Sequence, residues 1–283
     1  MSAPKLPDAD EMRRLVLDAL GSATSATGLG SHYDKKAKEN DLYEAFILLT
    51  LLEVAVRQRW DVTIVGPDGG ERDELLLRGA PGSFTNPSRE YTHAVLSRRG
   101  AFDLEAHVGV KVRGESGVLH EADLLLMPRA VSEACRASGD APGVRQAIAV
   151  LEAKFISADS VPLGYGRGLV GLGRDMALPL GALVSTRTSD TVSRLLARWK
   201  LHHVATEVTG TAGLNAATLR RHFEEVLAWW GSSGAGWRAN ASWHDDAFWR
   251  SRPLPPRPRP PVEQRTTSHS MFSRQRGRGN GGG

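Results

Sequence analysis

Two apolar runs of the chain carry charge where buried strands ordinarily carry none. Residues 120–127 read His-Glu-Ala-Asp-Leu-Leu-Leu-Met, and residues 147–155 read Ala-Ile-Ala-Val-Leu-Glu-Ala-Lys-Phe. Side chains alternate with period two along a strand, so Glu121 shares a face with Asp123, and Glu152 shares one with Lys154. Charges on such strands are costly unless they are paired or bound to a metal. Gathered carboxylates repel one another, a hard divalent cation relieves the repulsion, and a few oxygen ligands suit Mg²⁺. Only seven of the 36 basic residues are lysines, and after Lys38 only Lys111, Lys154 and Lys200 remain. A chain that elsewhere uses arginine has placed a compact, tunable charge beside these acids. Carboxylates that hold an ion, and a lysine that orients or helps deprotonate water, are the parts of metal-assisted hydrolysis.

Asp123, followed by Glu152-Ala153-Lys154 on the next strand-like run, resembles the D…ExK signature of the PD-(D/E)xK, or restriction-endonuclease-like, nuclease superfamily. The resemblance implies an α/β fold: a restriction-endonuclease-like core with a mixed central β-sheet flanked by helices. It also implies Mg²⁺-dependent cleavage of phosphodiester bonds, usually in DNA, with Mn²⁺ as a substitute ion, and an N-terminal helix that supplies a further glutamate. On that basis Asp123 and Glu152 ligate the metal and Lys154 positions the water and stabilises developing charge. Glu44 assists them directly or through water, and Glu121 is a neighbouring or substitute ligand. Beside the resemblance, His120 is a candidate for the substrate's neighbourhood because it is next to the site in sequence, and Arg167 and Arg174 either meet phosphates or are solvated helix arginines. The chain departs from the signature in lacking its Pro and in the long separation of Asp123 from Glu152; Ser132–Gly143 reads as a loop or short helix inserted between them. A second reading is a nucleic-acid-binding or scaffolding protein that keeps the fold without chemistry, with Glu152 and Lys154 as an ion pair.

The elements that must position these residues follow from periodicity. A short helix over 11–20 precedes a Ser/Thr/Gly/Ala linker at 21–30. Asn40 or Asp41 caps a strong helix over 42–59, with Glu44 near its start and Glu53, the reserve acid, among apolar neighbours. Glu44 is equally a favourable acid for a helix's first turn. Strands are expected at 61–65, 74–78, 92–97, 102–113, 120–127 and 147–155. In the fourth, apolar 102, 104, 106, 108, 110 and 112 alternate with polar positions. Beyond 155, the segments 181–186, 190–200, 203–208 and 216–230 continue an alternation of strands and helices.

Three patterns imitate other chemistry. Gly166-Arg-Gly-Leu-Val-Gly171, with Asp190 beyond it, matches the dinucleotide fingerprint, but its first glycine does not follow a buried strand directly. His202 and His203, adjacent on a strand, point to opposite faces and cannot chelate together. His244-Asp245-Asp246 lies in a Trp-rich stretch (Trp229, Trp230, Trp237, Trp243, Trp249) whose rings pack on the core or stack bases.

The sequence of 283 residues is 41% hydrophobic, enough for a real core. A single cysteine, Cys135, excludes an internal disulfide and any CxxC-type zinc or redox site. Residues 1–12 lack the apolar stretch of a signal peptide, and the longest apolar run, 46–52, is too short to span a membrane, so a cytoplasmic protein is expected. The net charge of +4 is uneven: from Arg250 onward eight arginines face one acid, Glu263, leaving the rest at −3. That Pro/Arg/Gly-rich tail should be disordered and suits either a nucleic-acid backbone or simple solubility. The expected organisation is an N-terminal helix and linker over 1–39, a nuclease-like domain over 40–249 and the basic tail over 250–283. Oligomeric state is left open, a dimer included.

Overall fold

The computed structural model describes residues 8, 10–18, 30–31, 38–77, 82–83, 91–156, 158, 160–176, 181–209 and 213–237. Most of the expected linker, Trp243, His244, Asp245, Asp246, Trp249 and the basic tail lie outside the described residues. In chain order the elements are α1 (10–18), β1 (Gly30–Ser31), α2 (Glu39–Arg57), β2 (Asp61–Val65), β3 (Glu71–Arg72), β4 (Glu74–Leu75), β5 (His93–Ser97), β6 (Leu104–Arg113), β7 (Leu119–Pro128) and α3 (Arg129–Ser138). After them come β8 (Ala149–Lys154), α4 (Leu163–Asp175), β9 (Gly181–Ser185), α5 (Asp190–Arg198), β10 (His202–Ala205), β11 (Glu207–Thr209), β12 (Gly213–Asn215) and α6 (Ala217–Trp237).

Eight strands form one mixed sheet in the order β10-β9-β8-β7-β6-β5-β2-β3. β8, β9 and β10 are parallel and joined by helices; every other neighbouring pair in the sheet is antiparallel. The α/β class and the flanking helices are as the sequence suggests. One face carries α1, α2 and α6 over a core that includes Met12, Leu52, Leu126, Leu151 and Phe223. The other carries α3 over Leu125, Met127 and Val150, with α4 and α5 over Leu183 and Leu196. No described helix is long and apolar enough to cross a membrane.

Local departures from expectation have physical reasons. α2 starts at Glu39 rather than 42, because the Asp41 carboxylate reaches back to accept the Lys38 N–H at 3.3 Å. It contains neither Gly nor Pro and is buried on most sides, since α6 lies beside it. The expected strand at 74–78 is only Glu74–Leu75, paired with β1, while Glu71–Arg72 hairpins onto β2. The connection between β7 and β8 holds a regular helix from Arg129, closed by Gly139 at φ 79°, where a left-handed residue favours glycine.

The long β6–β7 hairpin does not keep one face. Leu104, Ala106 and Val108 belong to the core under α2, whereas Val110 and Val112 belong to the core on the α3 side. Across the hairpin, Leu126 and Leu124 face α2, while Ala122 joins the α3-side core. The switch occurs at Gly109, whose φ of 61° breaks the pleat; the register passes from Val108↔Leu124 to Val110↔Ala122, leaving Gly109 and Asp123 between the paired residues. The outer half of the hairpin therefore rolls over at the one position where β7 carries a buried acid.

α4 contains five glycines in 13 residues. A Cβ at Gly166 would stand 3.1 Å from Val192, and one at Gly173 would stand 3.0 Å from Leu201, so these two permit close packing on α5 and the chain beyond it. Gly164, Gly168 and Gly171 would meet nothing.

Candidate active site

The β7–β8 ladder ends at Leu124↔Leu151, but β8 continues against β9 as far as Lys154↔Ser185. The two strands part there, and the Ala153 N–H loses its place in the ladder. Asp123 Oδ2 accepts that N–H at 2.7 Å, so the carboxylate does the work of a strand carbonyl. Lys154 Nζ donates to the same oxygen at 3.2 Å and lies 2.7 Å from Glu152 Oε1. The three residues of the D…ExK pattern thus meet in a fork between strands. Thr186 holds the base of the fork, because its Oγ1 accepts the Ile156 N–H at 2.9 Å and donates to the Ile156 carbonyl.

α2 brings Glu44 to this cluster. Tyr43, the preceding residue, packs edge-on to Phe155 at 6.3 Å and shares a 2.7 Å hydrogen bond with Thr206, which fixes the start of the helix over the end of β8. Burial pushes the Glu44 carboxyl up to about 9; repulsion from Asp123, Asp41 and Glu121 adds to this, and Lys154 opposes it. Glu121 is raised by burial and by Asp123 and Glu152. Glu152 is raised by burial and by Asp123, with Lys154 opposing. Burial works against the Lys154 ammonium, but Asp123 and Glu152 outweigh it and hold the amine well above its ordinary range. Four carboxyl groups surround one ammonium, a negative excess that a hard cation with oxygen ligands would relieve.

Other expected participants lie elsewhere. His120 contacts Asp175, which also accepts from the Ser116 N–H and Oγ at 2.7 Å each and so latches the β6–β7 turn to the end of α4. Ser116 bonds the acid rather than the imidazole, so this is not a nucleophile–base pair. Arg174 stacks on Trp199 at 4.2 Å, and Arg167 is exposed on α4. Glu53 is paired with Arg57 at 2.6 Å and Arg220 at 3.0 Å, which removes it as the reserve acid. Gly166–Gly171 lies inside α4 and forms no strand-to-helix phosphate loop. His203 sits between Ser185 and Ser193, while His202 faces His222, so the adjacent pair does diverge.

One charged cluster escaped the sequence reading. Glu105 and His107 of β6, with His93 of β5, are buried beneath α3, where Arg136 binds the Glu105 carboxylate in a fork of 2.6 and 2.8 Å. His107 Nε2 lies 3.0 Å and His93 Nε2 3.5 Å from Glu105 Oε2. Burial alone would raise the Glu105 carboxyl, but Arg136, His107 and His93 bring it well below the usual carboxylate range. The available signal was Glu-x-His on a strand, a spacing that puts both side chains on one face.

No family model, curated protein or solved structure matches the chain.

Proposed function

We propose that the protein is a Mg²⁺-dependent nuclease that hydrolyses phosphodiester bonds, with DNA as its substrate. The observation that carries this reading is Lys154 held between Asp123 and Glu152 in the strand fork, with Glu44 kept protonated nearby. Asp123, Glu152 and Glu44 supply hard oxygen donors, and burial together with repulsion from Asp123 raises the Glu152 and Glu44 carboxyls, a repulsion that a cation would relieve. Mg²⁺ in this cluster, or Mn²⁺ in its place, supplies Lewis acidity toward the phosphate and the attacking water. Asp123 is anchored by the Ala153 N–H, so its position does not depend on the ion. Lys154, charged far above neutral pH, takes no proton; its task is to orient water and offset charge that develops on the phosphate. Arg57, Arg59 and Arg98 line a hollow of about 520 Å³ at the other end of α2, a second surface of suitable charge for a nucleic-acid backbone.

The fork also supports a non-catalytic reading, because Lys154 already pairs with two carboxylates without any metal. Incubation of purified protein with plasmid and single-stranded DNA in Mg²⁺, Mn²⁺ or EDTA separates the two. Metal-dependent cleavage that disappears in Lys154→Ala is expected. DNA binding without cleavage, unchanged by EDTA, would replace the nuclease with a binding module.

A further inference from the structure

We propose that His93, Glu105 and His107 form a second metal centre, which takes Zn²⁺, in the sheet beneath α3. The centre is separate from the fork and does not rest on the nuclease reading. One donor atom from each residue lies within 4.8 Å of the others. The two measured edges, 3.0 and 3.5 Å from Glu105 Oε2 to the imidazole Nε2 atoms, bracket the spacing of about 3.4 Å between ligands of a tetrahedral ion with bonds of roughly 2.0–2.2 Å.

Burial gives the cluster its second argument. His93 is 1% exposed, yet neither of its ring nitrogens makes a hydrogen bond to the described residues; Nε2 stands at 3.5 Å from Oε2 without the geometry of one. A buried imidazole aimed at a carboxylate, with no hydrogen bond to the described residues, is short of a partner, and coordination supplies one.

Arg136 fits as the outer partner. It holds Oε1 at 2.6 Å and Oε2 at 2.8 Å; Oε2 also accepts the His107 Nε2–H at 3.0 Å, and an ion between them would take the place of that hydrogen bond. Ligation needs neutral imidazole, which a site walled off from solvent favours. Two imidazoles and one carboxylate suit Zn²⁺ rather than Mg²⁺, which prefers oxygen. Three protein ligands leave a fourth position for a small molecule such as water.

The test uses the full chain prepared without a polyhistidine tag, supplied with one equivalent of Zn²⁺ or Co²⁺ and then desalted. The expected result is about one equivalent retained by elemental analysis, an absorption spectrum of tetrahedral type for Co²⁺, and retention unchanged in Asp123→Asn/Glu152→Gln. His93→Gln and His107→Gln, each checked for folding by circular dichroism, should retain less than a tenth of an equivalent. Folded wild type that retains no metal overturns the proposal, as does retention that survives His93→Gln. Because the readout is metal content, failure of the nuclease reading leaves this result unaffected. Should the two His variants fail to fold, the wild-type stoichiometry and Co²⁺ spectrum decide alone.

Discussion

The two charged clusters of the sheet use similar residues and reach opposite states. In the fork, Glu44, Glu121 and Glu152 all have raised carboxyl groups, first because they are buried and then because neighbouring acids repel them more than Lys154 offsets. Beneath α3, one acid meets a bidentate guanidinium and two imidazoles, and its carboxyl is lowered. The fork is short of positive charge, whereas the α3 cluster has its charge balanced and is short of a partner for a neutral donor. Charge deficit draws a hard ion that binds oxygen; spare nitrogen donors draw a borderline one. The kind of imbalance, rather than the presence of acids, distinguishes what each region can do.

The sharpest way to break this contrast is to remove one cation from each. Lys154→Ala should lower DNA cleavage in Mg²⁺ by about 10³-fold, the scale of losing one electrostatic donor. Retained full cleavage would take Lys154 out of the mechanism. Arg136→Met should leave Glu105 buried without its main partner and destabilise the fold by about 3–5 kcal/mol in urea denaturation. A loss below about 1 kcal/mol would show that the imidazoles suffice and erase the difference between the regions.

A pH series sharpens the comparison further. Glu44 titrates near 9 in the folded protein and near 4.3 unfolded, so the folded form holds the extra proton between these values. Its contribution to stability is whole below about 4.3 and is lost as pH rises toward 9. In EDTA, wild type should lose stability relative to Glu44→Gln between pH 5 and 9, by at most about 1.4 kcal/mol per pH unit, and Mg²⁺ should flatten the difference. Parallel stability curves for the two proteins would remove Glu44 from the cluster. The smallest effect is a control outside both regions: Gly168→Ala and Gly171→Ala, where open space surrounds the absent Cβ, should each stabilise α4 by about 0.5–1 kcal/mol in thermal melts.

Asp123, Glu152 and Lys154 stood out because a charge in an apolar run of period two is anomalous wherever the run is placed, and the structure brings Lys154 into contact with both acids. Glu44 was legible only through the family resemblance; in the sequence it is one first-turn acid among others. The α3 cluster was illegible for a concrete reason. Glu105 and His107 fall on the polar positions of a cleanly alternating strand, which points them at solvent unless something covers that face. The cover is α3, and its segment reads as a loop or short helix, so nothing at sequence level required those positions to be buried. The face switch in β6 was hidden by the same regularity, since Val108 and Val110 continue the alternation although they belong to different cores.

Gly109 deserves to be followed into any mutational survey of this protein. At φ 61° a side chain is strained, and the strand would relax toward an ordinary pleat that turns Val110, Val112 and Ala122 away from the core they now fill. A library scored by activity alone would rank position 109 with the residues of the fork, although it carries no functional group at all. Abundance measured beside activity would tell them apart: fork variants accumulate as inert protein, and variants at 109 vanish from the soluble fraction.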